Sequence, residues 1–143
     1  MSQDVKVKIS NLTKIFGPKA QSVLKHVDNG MGKDDLLKEH QHVLGLSNIN
    51  LELANKNIEV IMGLSGSGKS TLIRHINRLI EPTAGSIIVG GEDVIQMPME
   101  KLRQFRQQKT AMVFQSFALL PHKTIMDNVC LGVHLQGVKE DES

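Results

Sequence analysis

The sequence predicts an α/β fold: a core of parallel strands joined by right-handed crossovers, with a small antiparallel sheet built from the amino-terminal strands. Three patterns carry that prediction. Ile58, Val60, Ile61 and Met62 form a short apolar run that enters glycines, as a strand buried on both faces does. Leu72, Ile73, Ile76, Leu79 and Ile80 follow at helical spacing, while Arg74, His75, Asn77 and Arg78 fall elsewhere on the wheel. Upstream, two segments alternate apolar and polar residues with period two. A strand that feeds a helix through a glycine loop is the unit from which a parallel sheet is wound.

The elements follow in chain order. Val5, Val7 and Ile9 alternate with Lys6, Lys8 and Ser10, which predicts a first strand with one wet face. Residues 17–43 read as an inserted excursion. Gly17-Pro18 breaks the chain, Val23, Leu24 and Val27 suggest a short helix, and a second polar helix is expected over 34–42. Ile49, Leu51 and Leu53 mark a second amphipathic strand that ends at the turn-like Asn55-Lys56-Asn57. The apolar run at 58–62 is the buried strand, with Glu59 its awkward member: an unpaired carboxylate buried there would cost several kcal/mol, so it must be paired, neutral or at an edge. A helix of about three turns is expected after the glycines, stopped by Pro82 and Gly85. Ile87-Ile88-Val89 reads as a strand, and residues 99–107 as a helix with Met99, Leu102 and Phe105 facing the core. Residues 111–114 return as a buried strand ending at Gln115. Residues 139–143 form a polar tail expected to fray.

Composition narrows the function. The 143 residues suit one domain, and a chain of this size buries roughly two-thirds of its unfolded surface. With 17 basic against 15 acidic side chains the net charge is +2, and there are four Phe, no Tyr and no Trp. That combination lacks the basic stripe and stacking platforms of a nucleic-acid binder. Cys130 is the only cysteine, so no intrachain disulfide forms. No stretch approaches the ~18 apolar residues of a membrane span, and residues 1–8 carry no signal-peptide core, so a cytosolic chain is expected unless another protein tethers it. His40 and His42 make a poor metal set without nearby cysteines and read as solvated. Arg74 and Arg78 share a helix face that reads as wet, as do Arg103 and Arg106.

One motif carries chemistry. Gly63-Leu64-Ser65-Gly66-Ser67-Gly68-Lys69-Ser70 matches G-x-x-x-x-G-K-[ST] without a mismatch and stands between the apolar run and the amphipathic helix. Polyphosphate is densely anionic and is best held by backbone N–H donors curved around it at a helix amino terminus. Gly63, Ser65, Gly66, Ser67, Gly68, Lys69, Ser70 and Thr71 are therefore the candidate nucleotide-binding residues. Lys69 is expected to reach the β and γ phosphates, and the Ser70 hydroxyl to join the Mg²⁺ shell of bound ATP. A dinucleotide fold is not indicated, because the Gly63/Gly66/Gly68 spacing is not Gly-x-Gly-x-x-Gly.

Residues 70–79, Glu81-Pro82-Thr83-Ala84-Gly85 and the run 111–122 together resemble an ATP-binding-cassette (ABC) ATPase, a P-loop NTPase. More narrowly, residues 60–71 and Asn77-Arg78-Leu79-Ile80-Glu81-Pro82-Thr83 look like the glycine betaine/proline (osmoprotectant) importer subunits. That family also carries a helical insertion between its first two strands, which 17–43 resembles, and the likeness runs over residues 5–133. The resemblance implies that Gln115, with Lys69, serves catalysis, Gln115 linking Mg²⁺ and the attacking water to the helical subdomain. It implies that Phe16 stacks on adenine. Residues 116–127, with Phe117, Leu119, Leu120 and Met126, match the segment near which membrane-domain coupling helices dock. Implied partners are the transmembrane permease subunits and a second full-length subunit in a homodimer, at the cytoplasmic face of the inner (plasma) membrane, without nucleic acid.

The departures from the family pattern are equally informative. The sequence contains no Leu-Ser-Gly-Gly-Gln signature, no acidic strand end with the catalytic Glu and no switch histidine. Residues 1–143 therefore read as the amino-terminal part of an ABC nucleotide-binding domain, ending before the signature helix and the Walker B strand. Efficient hydrolysis by this chain alone is not expected. Two functions are weighed: an ATP-binding subunit of an osmoprotectant importer, or a non-hydrolysing nucleotide-binding or docking module. An ABC protein of DNA repair or translation is disfavoured by the importer-like insertion.

Overall fold

Alternation in the first strand continues further than Ile9, and this places the site. In the computed structural model, which describes residues 5–115 and 118–135, β1 runs Val5–Phe16. Asn11 adopts φ 51° and the pairing shifts between Ile9 and Leu12, so Ile9, Leu12 and Ile15 are all buried although their spacing is not strictly even. After a 3-10 turn at Ala20–Val23 come α1 (Leu24–Asp28) and α2 (Lys33–His40). β2 follows at Val43–Ala54, beginning six residues before Ile49. β1 and β2 pair antiparallel, with Phe16 opposite Val43 and Val5 opposite Ala54.

The inserted segment is packed rather than loose. Val23, Val27 and Leu36 form a buried cluster with Ile15 of β1, and Met31 and Leu44 pack against it. The apolar stripe of two short helices thus finds its partner in the strand end that carries Phe16.

α3 (Lys69–Ile76) follows the glycine loop and is shorter than expected, about two turns. It ends where Arg78 takes φ 53°. β3 (Ala84–Val89) pairs antiparallel with β1, and the short β4 (Glu92–Asp93) pairs with β3, so the sheet order is β2-β1-β3-β4. Everything up to Met97 forms one compact unit, and the chain from Pro98 forms a second. The second unit contains α4 (Met99–Gln108) and α5 (Ile125–Leu135). Leu102 and Phe105 are buried as the helical pattern requires, but Met99, expected inward, is exposed.

Two expected strands are not formed. Residues 58–62 and 111–114 have no ladder, and apart from the half-buried Ile61 and Met112 their apolar side chains face solvent: Ile58 is 93%, Met62 85% and Val113 97% exposed. Glu59 is exposed as well, which removes its burial cost. The physical reason is that a parallel strand needs hydrogen-bonding neighbours, and all pairings among the described residues are antiparallel ones within the other sheet. Without them an apolar run gains neither a ladder nor a covered face. The tail at 139–143 lies outside the described residues.

Candidate nucleotide-binding site

The loop after residue 62 bends as its glycines allow. Gly66 and Gly68 take φ 76° and 92°, a region that a Cβ penalises, and Ser67 N–H closes a turn on the Leu64 carbonyl at 3.2 Å. Gly68 also lies so close to β2 that a Cβ would meet the Gly45 carbonyl oxygen at 2.9 Å. α3 starts immediately afterwards, and its first amides have no intrahelical acceptor. Lys69 does not extend away. Its ammonium donates to the Gly63 and Leu64 carbonyls, each at 2.7 Å, and reaches Ser67 Oγ at 3.4 Å. One cation is thus centred within a curved run of backbone.

An open cleft of about 260 Å³ adjoins the loop. Of the residues expected at a nucleotide, Gly66, Ser67, Gly68, Lys69, Ser70 and Thr71 line it, and so does Phe16. Gly63 and Ser65 do not line it; Gly63 anchors Lys69 and Ser65 stands in the turn. Phe16 is 39% exposed, so it is not simply a core residue. The Lys14 ammonium sits 5.1 Å from its ring centroid and donates to the Glu81 carbonyl at 2.7 Å. Gly45 permits the ring's position: a Cβ there would lie 2.6 Å from Phe16 Cε2.

Four lining residues escaped the sequence reading: Lys33, Val43, Leu44 and Gly45. The last three belong to the early start of β2, and Lys33 to the insertion. Their only signal lay in the pairing of Phe16 with Val43, a contact between residues 27 positions apart.

Other expectations fare differently. Gln115 is exposed in a turn rather than at a strand end and belongs to the second unit. His42 is buried, not solvated; its Nδ1 and Nε2 lie 2.6 and 2.7 Å from the carbonyl oxygens of His40 and Pro18. The ring therefore lies between backbone carbonyls at the two ends of the insertion and clamps them. Arg78 is not on a wet face: it donates to Glu81 Oε1 at 2.7 Å and to the Met97 carbonyl at 2.6 Å. In the second unit Leu119 and Met126 are exposed and Leu120 is half-buried, while Phe117 lies outside the described residues. Among the described residues no helix is long and apolar enough to cross a membrane.

Residues 46–143 match the family described as ABC transporter. The chain belongs to that family. It is 45% identical over 138 residues to the glycine betaine/proline betaine transport system ATP-binding protein ProV of Escherichia coli (strain K12), covering 96% of this chain and 34% of ProV. It is also 45% identical over 138 residues to the glycine betaine transport ATP-binding protein OpuAA of Bacillus subtilis (strain 168), covering 96% and 33%. The chain thus spans about a third of the length of these curated relatives. Among solved structures it is similar to a dimeric ATP-binding cassette in a post-hydrolysis state bound to ADP and Pi. That likeness has a TM-score of 0.74 and 29% identity, over 95% of this chain and 51% of the other. The fold class is therefore α/β of the ABC cassette type, with a small antiparallel sheet.

Proposed function

We propose that this chain binds Mg-ATP through Gly63–Thr71 as the nucleotide-binding part of an ATP-binding subunit for glycine betaine or proline uptake. One observation carries the reading. Lys69 is held within the curved loop at the start of α3, and the same cleft is lined by a half-exposed aromatic ring, Phe16. The spacing suits a nucleotide: the loop amides and Lys69 take the phosphates, the ring takes the base, and binding gains from both ends. Ser70 lines the cleft from the first turn of α3, so its hydroxyl is the oxygen donor this unit offers to Mg²⁺. Gln115 remains the proposed second metal and water contact, and residues 116–127 the proposed docking segment for permease subunits. Leu119 and Ile125 of that segment, with Val129 just after it, line an apolar cleft of about 310 Å³. The subunit in this reading works as a homodimer at the cytoplasmic membrane face.

A second reading, nucleotide binding without turnover, is favoured by the cleft itself, in which no carboxylate stands among the described lining residues. Titration with Mg-ATP, with phosphate release followed in the same samples, tests both. Saturable binding is expected in the wild type, with affinity falling by at least about tenfold in Lys69→Ala and phosphate release at background. Binding unaffected by Lys69→Ala would refute the loop assignment. Lys69-dependent turnover would refute the reading without hydrolysis.

A further inference from the structure

The insertion contributes a second cation to the cleft. Lys33 is the first residue of α2, and it lines the same cleft as Phe16, Ser67 and Lys69. The two ammonium groups differ in commitment. Lys69 donates to two carbonyls and approaches a hydroxyl, whereas Lys33 has no hydrogen bond or ion pair among the described residues. α2 holds Lys33 at a defined place, because Leu36, one turn on, is fully buried in the cluster with Ile15, Val23 and Val27. The Lys33 position is locally unfavourable: a cation at a helix amino terminus opposes the macrodipole, which Asp34 and Asp35 in the same turn relieve. A residue that works against its own helix while facing an anion-binding loop is placed for a ligand rather than for the fold.

We propose that Lys33 binds the polyphosphate of the nucleotide, making the insertion a third wall of the site beside the glycine loop and the strand end carrying Phe16. This rests on the nucleotide-binding reading above. The role belongs to the charge, not to the aliphatic stem. An ammonium can donate to phosphate oxygens with three protons and little directional constraint, so it suits a flexible triphosphate. Through Leu36 and the His42 clamp, a nucleotide held by Lys33 is also tied to the packing of the insertion on β1.

Calorimetric titration of the chain with Mg-ATP, Mg-ADP and adenosine tests it in Lys33→Met, Lys33→Arg, Lys38→Met and Lys69→Ala variants. Lys33→Met keeps the stem and removes the charge. It is expected to weaken Mg-ATP and Mg-ADP about five- to tenfold while leaving adenosine unchanged. Lys33→Arg and Lys38→Met, the latter outside the cleft on the same helix, are expected to stay within about twofold of wild type. Lys69-dependent binding that ignores Lys33→Met would overturn this assignment alone, as would equal weakening by Lys38→Met or weakening of adenosine. Wild type and Lys69→Ala binding nucleotide alike would overturn the loop reading and Lys33 with it.

Discussion

His75 shows how a single side chain in the helix after the glycine loop can set a pH limit. It is fully buried on α3, with Nδ1 2.7 Å from the Thr71 carbonyl oxygen; Nε2 finds no partner among the described residues. The ring is therefore held neutral, with Nδ1 donating. Burial is the main cause that pushes its pKa below the ordinary 6.5; the Thr71 carbonyl opposes this, Lys14 adds to it and Glu81 opposes it. As pH falls through 6.5 the unfolded chain takes up the proton before the folded one does. The stability that His75 allows is thus present above 6.5 and lost as pH falls toward its lower folded value. Urea midpoints measured from about pH 7 down to about pH 5.5 are expected to fall more steeply for wild type than for His75→Leu. Parallel pH profiles would exclude His75 as the cause.

Connections between elements depend on a few polar contacts placed at the turn between α3 and β3. Thr83 is buried, and its hydroxyl accepts from Ile15 N–H at 2.9 Å and lies 3.3 Å from the Ile15 carbonyl, to which it donates. Its own N–H donates to the Thr13 carbonyl at 2.9 Å, and its carbonyl accepts from the Gln21 side chain of the insertion. One threonine therefore joins β1, the insertion and the turn that follows α3, next to the strand end carrying Phe16. Thr83→Val keeps the shape and leaves the Ile15 amide without its acceptor. A loss of about 1–3 kcal/mol is expected in chemical denaturation, because an unsatisfied buried donor costs its full desolvation penalty. An unchanged midpoint would mean that the amide finds another acceptor. In the second unit α5 opens on a reciprocal cap: Asp127 N–H donates to Thr124 Oγ1 at 3.1 Å and Thr124 N–H to Asp127 Oδ2 at 3.2 Å. The Thr124 hydroxyl and amide are the leading causes that hold the Asp127 carboxyl below its usual range.

Among the described residues, both units expose large apolar side chains. Ile58, Val60, Met62 and Leu64 are exposed in one unit, and Val113, Leu119, Ile125 and Val129 in the other. Runs with strand-forming side chains and unpaired backbone are templates for pairing with another chain. Sedimentation velocity over a concentration series is therefore expected to show reversible growth in mass. Val60→Lys with Val113→Lys is expected to shift the series toward monomer. A monomer at every concentration would show that these runs are inert.

Legibility followed the range of the interactions. The glycine loop, the helix it opens, the inserted helices and the first strand were readable because turns, caps and amphipathic faces are decided by residues a few positions apart. Gly66, Gly68 and Lys69 carry their chemistry in spacing alone. Residues 58–62 and 111–114 read as buried strands by the same local logic, yet they remain outside the sheet, since a strand exists only where distant backbone supplies its ladder. Phe16 was identified from a family likeness. Its neighbours Lys33 and Gly45 emerged only once β1 had paired with an earlier start of β2, and the burial of His42 and the backbone contact of Arg78 with Met97 likewise came from long-range packing. The sequence by itself determined the glycine loop and the lysine that follows it; tertiary pairing decided which aromatic ring and which second lysine share the cleft, because those contacts join residues that no local periodicity relates.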